Sequence, residues 1–231
     1  AGISQRFEAS GTTLTANWGE GFKLPSFFAL GHPFVGNKNL RPETSESFEV
    51  GVEQALWMGR AKVRAVLFHN RYFDLIDFDE GPPPKLVNRS EVTAEGFELV
   101  GDIRPSPALS LSAHVSYTRT NIEDTTEELR NRPEWRAGGD LLWRPRGDVT
   151  IALNALYVGE VLDSSIATGD RTLGGYFRAD LAVTWTVMPD IELSLAVDNI
   201  FDAEFEEAVG FPGVGIRPRL ILYQRTLIRT H

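Results

Sequence analysis

The sequence contains no cysteine. This absence excludes disulfide frameworks, thiolate zinc sites and cysteine nucleophiles. Histidine is scarce as well, and His32, His69, His114 and His231 stand in different segments without the spacing of metal ligands. The sequence therefore predicts no metal site, no cofactor and no catalytic residues.

Long hydrophobic runs are also absent. No stretch of about 18 apolar residues occurs, which excludes a transmembrane helix, but a membrane-spanning β-strand needs only about 9 to 11 residues with every second one apolar. Positive charge is limited too: the formal net charge of −9 argues against a nucleic-acid partner, because phosphate contacts need a surplus of Lys and Arg. The first residues, AGISQRFEAS, have no features of a secretion signal. An exported protein would have lost that signal, or this chain is a piece of a longer one.

Alternation of apolar and polar residues is the dominant pattern of the chain. In residues 109–118, LSLSAHVSYT, every second residue is apolar or aromatic and the intervening ones are polar. This is the period of two of a β-strand rather than the 3.6 of a helix. About ten segments share it, so the sequence predicts an all-β fold.

The connections between these segments alternate between short and long. Short ones are predicted near residues 10–11, 57–60, 102–108, 145–148 and 188–190, and longer ones at 21–44, 78–86, 119–133, 159–174 and 202–215. A transmembrane barrel has short periplasmic turns and longer outer loops. A soluble β-sandwich has no reason to keep this alternation.

Large aromatic residues fit the same topology. Trp and Tyr favour the two interfaces of a bilayer. The alternation predicts that Trp57, Trp143 and Trp185 lie at the periplasmic ends of strands, and that the extracellular ends carry Trp18, Tyr117, Trp135 and Tyr157.

Three sequence blocks resemble one protein family. The first, residues 21–54, contains Gly-Phe-x-x-Pro-Ser, then Gly-Asn-x-x-Leu-x-Pro-Glu-x-Ser, then Glu-x-Gly. The second combines NRYFDLIDF at 70–78 with LVNRSEVTAEGFELVG at 86–101, and the third is DNIFDAEF at 198–205. In this order they resemble the carboxy-terminal barrel region of TonB-dependent outer-membrane receptors of the siderophore and vitamin B12 receptor type.

The resemblance implies an antiparallel up-and-down transmembrane β-barrel. About ten strands are predicted, as the carboxy-terminal part of a larger barrel of about 22 strands. All of residues 1–231 would belong to this barrel domain, with no plug domain present. Near the carboxyl end, Leu220 and Leu222 are predicted to face outward and Pro218 to lie near a strand start. Family members usually end in an aromatic residue, whereas this chain ends in Thr230 and His231.

The implied function is import across the outer membrane of a Gram-negative bacterium. Partners implied by the resemblance are outer-membrane lipid, the missing amino-terminal plug and barrel strands, TonB, and a small metal chelate or vitamin such as a ferric siderophore or corrinoid. The chain is not predicted to be an enzyme.

Candidate ligand contacts lie in the predicted outer loops. The loop at 24–36 is unusually apolar, and with residues of other outer loops it gives the candidate set Phe27, Phe28, His32, Phe34, Asp170, Arg171, Tyr176 and Phe211. Packing over the barrel mouth is the alternative for the aromatic residues. Polar residues that alternate with the apolar set are predicted to line a wet lumen, because they are costly in lipid; these are Arg64, His114, Arg136, Asp140, Arg178, Asp180 and Glu192.

Two other functions fit a self-contained barrel of ten strands. One is a passive pore. The other is a surface protease or lipase. His32 and Asp170 would be its candidate catalytic pair, although nothing in their spacing calls for one. Acidic residues at 122–128 and 204–207 leave a loop-bound divalent cation as a further alternative.

Overall fold

Antiparallel strands make up most of the computed structural model, which describes residues 1–79, 81–123, 128–165 and 167–224, without the side chain of Ser90. One short helix, α1, spans Phe27–Gly31. The strands are β1 Gly2–Phe7, β2 Thr12–Lys23, β3 Glu43–Leu56, β4 Ala61–Asp79, β5 Lys85–Ser106, β6 Leu109–Ile122, β7 Trp135–Arg146, β8 Val149–Val158, β9 Val161–Ser165, β10 Gly169–Leu173, β11 Tyr176–Met188, β12 Ile191–Asp198, β13 Glu206–Ala208, β14 Phe211–Pro212 and β15 Arg217–Gln224.

Eleven of these strands form one sheet in the order β1-β2-β3-β4-β5-β6-β7-β8-β11-β12-β15. Each strand pairs antiparallel with the next one along the sheet, and β9–β10 and β13–β14 are separate hairpins within long connections. The up-and-down antiparallel fold predicted from the alternation is thus confirmed. The sheet has one strand more than the predicted ten, because residues 2–7 pair with β2.

Strand register assigns the alternating residues to two faces. Following the pairs from β2 to β11, one row contains only apolar and aromatic residues: Leu14, Val52, Ala65, Leu99, Val115, Ala137, Tyr157 and Phe177. A one-residue slip would move every such side chain to the other face, so the register is fixed by this pattern. We call the apolar side the outward face and the opposite side the inward face.

Aromatic residues cluster near both ends of the outward face. Tyr117 and Trp135 contact each other at the long-loop end, with ring centroids 4.8 Å apart, and Phe97 lies beside them. Trp143 lies toward the other end of β7, eight residues from Trp135. Eight residues correspond to about 26 Å along a strand, or about 20 Å of height at a tilt of about 40°, which is close to the thickness of a barrel's apolar band.

The remaining predicted interface aromatics occupy the corresponding ends. Trp18 pairs with Phe48, and Tyr157 pairs with Phe177, both toward the long loops. Trp185 lies toward the short turns, and Trp57 begins the turn between β3 and β4. Their contact with a bilayer remains a prediction.

Burial concentrates at the long-loop end rather than in the middle of the sheet. Ala29, Val35 and Leu40 are buried within the loop that follows β2, and Val92 and Ile122 are buried where β5 and β6 end. A single sheet has no second layer to cover its faces, so Leu67 and Leu195 on the outward face are more than half exposed. Among the described residues no helix is long and apolar enough to cross a membrane.

Several predicted boundaries differ from the structure. The connection predicted at 21–44 is shorter, because β2 continues to Lys23 and β3 begins at Glu43, and it contains α1 where no helix was expected. The predicted long loop at 159–174 folds into the β9–β10 hairpin, and 202–215 contains β13 and β14. These short hairpins were not predicted, because their strands are too short to show a clear alternation of apolar and polar residues.

The last strand, β15, pairs with β12 and runs from the long-loop end toward the short turns. Leu220 and Leu222 pair with Leu195 and Leu193 on the outward face, as predicted. Pro218 is tolerated because it is the second residue of a strand at the sheet edge. Thr230 and His231 lie outside the described residues.

The two faces predict different responses to charge. Leu153 faces outward between Leu141 and Leu181, whereas Ala152 faces inward beside Leu142 and Ala182. We expect Leu153→Arg to destabilise the barrel in a bilayer by about 2–4 kcal/mol, because a charge at mid-depth must leave water. Ala152→Arg is the matched control and should cost much less. Urea unfolding of the complete receptor in vesicles measures both, and equal losses would contradict the assignment of faces.

Candidate functional site

The first outer loop, residues 24–42, exposes a group of aromatic side chains. Ser26 caps α1 by accepting a hydrogen bond from the Ala29 backbone N–H (3.1 Å), while Ala29 anchors the helix in the loop interior. Phe27, Phe28 and Phe34 are 96%, 60% and 81% exposed. These three rings are therefore largely uncovered by the described residues of this chain.

His32 holds the turn that presents these rings. Its Nδ1 accepts hydrogen bonds from the backbone N–H groups of Phe34 and Val35, both at 3.3 Å. The imidazole also contacts the rings of Phe28 and Phe34, with centroids 4.6 and 5.9 Å away. Because Nδ1 is an acceptor, the proton of the neutral ring lies on Nε2, which leaves that nitrogen as a donor.

Residues of the first sequence block fasten this loop to the sheet. Asn37 donates a side-chain hydrogen bond to the Leu86 carbonyl (2.9 Å) and its Oδ1 accepts from the Asn39 backbone (3.0 Å). The Leu86 N–H in turn donates to the Val35 carbonyl (2.8 Å). Gly36 is required at the tightest point, since a Cβ there would lie 2.5 Å from the backbone N and O of His32.

Two further contacts connect the end of the loop to β4 and β5. The Arg41 N–H donates to the Asn88 side chain (2.9 Å), and the Arg41 guanidinium pairs with Asp74. Buried Glu43 accepts a hydrogen bond from the Ile76 N–H (2.9 Å) and pairs with Lys23 at 3.0 Å. The first sequence block, residues 21–54, therefore has a structural role in this loop.

The second group of outer-loop residues is the outer-loop cluster, defined as residues 128–134, the β9–β10 hairpin and residues 199–216. Arg130 pairs with Asp170 (2.8 Å), donates to the Phe78 carbonyl (2.8 Å) and covers the Phe78 ring. Arg171 pairs with Glu206 at 3.6 Å. Both charged candidates, Asp170 and Arg171, are thus engaged in contacts between loops.

Asp163 lies at the centre of the cluster and is buried. Its carboxylate accepts a hydrogen bond from the Val209 N–H at 2.7 Å. Burial raises the pKa of the Asp163 carboxyl, but hydrogen bonds from Val209, Ser164 and Asn131 and the nearby charge of Arg130 outweigh it, so its pKa lies below the ordinary 3.8. Asp163 is ionised at neutral pH and joins three segments of the cluster.

The aromatic candidates of the cluster differ in exposure. Tyr176 is stacked on Phe205, with centroids 4.1 Å apart and rings inclined by 14°. The Phe205 ring also lies against Gly213, where a Cβ would come within 2.3 Å of it. Phe211 is 71% exposed, so it is the cluster aromatic most available to a ligand.

The third sequence block closes the last long loop. Asn199 is fully buried, and its side chain donates to the carbonyls of Ala203 (3.0 Å) and Val214 (3.1 Å) and accepts from the Ala203 N–H (2.9 Å). Asp202 accepts from the Ile216 N–H at 2.7 Å. These bonds return the chain to β15, so this block is structural as well.

All seven residues predicted to line a lumen lie on the inward face. Asp140 accepts hydrogen bonds from Ser112 (3.3 Å) and Asn154 (2.8 Å) on the neighbouring strands. The His114 ring lies over Gly138, where a Cβ would be 2.6 Å from it. Arg64 pairs with Glu53 in register, Arg136 with Ser116, and Glu192 with Thr186. That this face borders water remains a prediction.

Near β15 the inward face carries a dense group of charges. Arg178 pairs with Asp180 (3.3 Å), whose other oxygen accepts from the Asn199 N–H (2.8 Å). Asp198 binds both Arg217 (2.8 Å) and Arg219 (2.5 Å). A cavity of 310 Å³ lies beside them. The Nε of Arg178 is buried and has no hydrogen-bond partner among the described residues.

The structure therefore sorts the predicted contacts into two groups. Phe27, Phe28, His32 and Phe34 lie together in the first outer loop. Asp170, Arg171 and Phe211 lie in the outer-loop cluster, and Tyr176 stacks on Phe205 of the cluster from the start of β11. Arg130 and Asp163, which organise the cluster, were not predicted, because their partners are distant in sequence and their neighbours show no motif. No group of three or more His, Cys, Asp or Glu residues suited to a metal ion occurs in the described ranges. Residues 124–127 of the predicted acidic run lie outside those ranges.

A one-layer antiparallel sheet with an apolar outward face and an inward face that carries the polar side chains is typical of the wall of a transmembrane β-barrel. Comparison with known proteins agrees. Residues 6–200 match the family model described as TonB dependent receptor-like, beta-barrel. The chain belongs to this family, whose members are outer-membrane proteins of Gram-negative bacteria, and the recognition made from the three sequence blocks is confirmed.

Relatives and solved structures extend this finding. The vitamin B12 transporter BtuB of Vibrio vulnificus (strain YJ016) is 27% identical over 215 residues, covering 84% of this chain and 31% of BtuB. The ferric-catecholate import receptor Fiu of E. coli K12 superposes with a TM-score of 0.79 at 18% identity, over 96% of this chain and 34% of Fiu. The siderophore receptor PiuA of Acinetobacter baumannii gives 0.77 at 14%, over 96% and 35%.

The chain thus spans about a third of the length of these proteins. At such low identities the two solved structures establish the fold alone. The relatives are transport receptors rather than enzymes, which confirms the prediction that the chain is not an enzyme.

The fastening of the first outer loop gives a testable prediction. We expect Asn37→Ala to loosen residues 24–42, because it removes the bonds to Leu86 and Asn39 and leaves a carbonyl unpaired, at a cost of about 1–3 kcal/mol. Asn39→Ala is the matched control, since the Asn39 side chain is exposed. Limited proteolysis of the complete receptor measures the difference, and equal cleavage of both variants would show that Asn37 does not hold the loop.

The lowered pKa of Asp163 fixes how the cluster responds to pH. A carboxyl with a lower pKa in the folded protein adds stability above its unfolded pKa, near 3.8, and loses it as the pH falls through the folded value. We expect the backbone amides of the cluster to stay protected from hydrogen exchange from neutral pH down to about 4, and to lose this protection below that pH. Asp163→Asn should loosen it at neutral pH, whereas Asp190→Asn in an exposed short turn should not. Hydrogen exchange corrected for intrinsic rates tests this, and loosening of the wild type near pH 6 would contradict it.

Proposed function

We propose that this chain forms part of the wall and outer loops of an outer-membrane receptor that imports a scarce ligand with energy delivered through TonB. The ligand would be a metal chelate such as a ferric siderophore, or a corrinoid. Membership of the TonB-dependent receptor family supports this role, and so do relatives named as a vitamin B12 transporter and as siderophore receptors.

One observation carries the proposal beyond family membership: the register sorts residues into an apolar and a polar face over a sheet of eleven strands. In lipid, every backbone polar group needs a partner within the protein, and a barrel wall of paired strands meets that need. In a closed barrel the inward face would border the interior. The proposal places the chain in the outer membrane, in contact with lipid.

A complete receptor of this kind requires segments that we place outside the 231 residues. We propose that the chain is the carboxy-terminal part of a larger barrel, and that β1 pairs with a further strand supplied by the preceding part of the receptor. A plug within the barrel and a segment that binds TonB would come from the same amino-terminal part. The small-molecule ligand would bind at the outer end, between the loops.

The first outer loop is the strongest candidate for ligand contact. Its three phenylalanines are exposed on a loop that is held firmly to β5, so a ligand would bury them without ordering new backbone. Such rings suit an aromatic siderophore or the faces of a corrin. Phe211, in the outer-loop cluster, is a further exposed aromatic candidate. Asp170, Arg171 and Tyr176 have loop partners, so we assign them to positioning of the loops around the ligand.

Uptake by intact cells tests the proposed function. The complete reading frame containing this chain would be expressed in a Gram-negative strain lacking its own siderophore and B12 receptors. We expect accumulation of either iron-55 carried by a siderophore or cobalt-57 cobalamin, and no accumulation when TonB is deleted. Uptake that persists without TonB would support a passive pore, and failure to accumulate any of a panel of chelates and corrinoids would overturn the proposal.

Substitution of the aromatic group tests its part in binding. We expect Phe27→Ala, Phe28→Ala and Phe34→Ala combined to weaken ligand binding at least about tenfold, because each ring buried against a ligand contributes about 1.5–3 kcal/mol. Phe7→Ala is the control, since Phe7 is 46% exposed and lies at the short-turn end of β1, away from the long loops. Binding to whole cells at low temperature gives the affinity. An unchanged affinity with normal surface expression would remove the loop from the binding site.

A further inference from the structure

We propose that Arg130 is a positioning residue that couples the outer-loop cluster to the first outer loop through the tip of the β4–β5 hairpin. The tip, residues 75–79 and 81–89, lies between the two groups of candidate ligand contacts and is bound by both. The significance of the coupling for transport rests on the function proposed above, but its existence does not.

The first outer loop binds the β5 side of the tip. Both backbone groups of Leu86 are used: its N–H donates to the Val35 carbonyl and its carbonyl accepts from Asn37. Asn88 adds a reciprocal pair with the backbone of Arg41, at 2.9 and 3.1 Å. These four hydrogen bonds hold the loop against the tip.

Arg130 binds the β4 side of the same tip. Its guanidinium donates to the carbonyl of Phe78, which pairs with Leu86 in the hairpin register, and covers the Phe78 ring at 5.8 Å. Its Nε simultaneously holds Asp170 in β10 at 2.8 Å. The Arg130 side chain is 16% exposed and that of Asp170 is 47% exposed. The bond to the Phe78 carbonyl is therefore shielded from solvent, whereas the ion pair with Asp170 is partly exposed.

The tip itself is stiff enough to transmit a displacement. Arg89 and Asp77 form an ion pair across the hairpin at 3.2 Å, and each side chain is 17% exposed. Ladder pairing is continuous from Leu75 with Arg89 to Asp79 with Lys85. A shift of the β9–β10 hairpin therefore moves Phe78 through Arg130, and the paired Leu86 carries the first outer loop with it.

The β9–β10 hairpin also separates two cavities. One of 700 Å³ lies on the side of residues 128–134 and the other, of 630 Å³, on the side of residues 202–215, and Thr172 and Gly175 line both. Movement of this hairpin changes both volumes at once. A ligand that enters either cavity would thus displace the first outer loop, where the exposed phenylalanines lie.

Hydrogen exchange of the complete receptor without ligand tests the coupling. We expect Arg130→Gln to accelerate exchange about tenfold or more in the β9–β10 hairpin and also in residues 75–89, including Leu86, because hydrogen bonds to a charged group are lost. Arg132→Gln is the matched control, since Arg132 lies in the same loop and donates to the adjacent Asn131 carbonyl. Acceleration confined to residues 128–134, or equal effects of both variants, would overturn the proposal.

A second variant separates coupling from misfolding. Asp170→Asn weakens the β10 partner of Arg130 while leaving Arg130 in place, and it should accelerate exchange in the hairpin more than in the tip. Combined with Arg130→Gln it should add little, because both changes break one connection. Additive effects of the two substitutions on the exchange rates would contradict a single connection through Arg130 and Asp170. Since no ligand is present, a failed uptake assay with positive exchange results would reject the proposed function and retain the coupling.

Discussion

Pairing of backbone hydrogen bonds between neighbouring strands is the constraint on which the rest of the structure depends. The sheet has no second layer, so it cannot gain stability by packing one sheet against another. Instead, each strand satisfies its backbone groups through its neighbours, and this is the arrangement that a bilayer demands. Pairing also fixes register, and register places the apolar and polar side chains on opposite faces. The outward face can then contact lipid while the inward face binds polar groups.

The elements between the short turns were predictable because their signal is local. Residues 109–118 alternate strictly, and β6 forms there with its apolar side chains facing outward. The ends of strands were less predictable: β5 continues to Ser106 through the predicted connection at 102–108, because Asp102 and Ile103 still pair with Ser112 and Leu111. The α1 helix and the β9–β10 hairpin form within predicted loops, and a periodic pattern does not contain the contacts that position these loops, such as Asn37 with Leu86 and Asp163 with Val209.

The candidate site divides in the same way. The exposed phenylalanines of the first outer loop were predictable, since apolar residues in a loop stand out by composition. Arg130 and Asp163 were not, because a charged residue in a loop is ordinarily solvated and only the folded structure shows that these two join separate loops. Conversely, Asn37 and Asn199, which belong to the family blocks, hold loops in place. The most recognisable residues thus preserve the framework of the loops, and the candidate ligand contacts are other residues of the same loops.

On the proposed function, the outward face of the sheet meets lipid and the inward face meets water. These 231 residues contain no cysteine, so single cysteines can be introduced along β8 from Thr150 to Tyr157 in the complete receptor, with any cysteine elsewhere in it replaced by serine, and spin-labelled in vesicles. Accessibility to oxygen and to a water-soluble nickel complex should then alternate with a period of two, with Ile151, Leu153, Ala155 and Tyr157 favouring oxygen. Uniform access to the nickel complex, or an alternation of opposite phase, would contradict the claim.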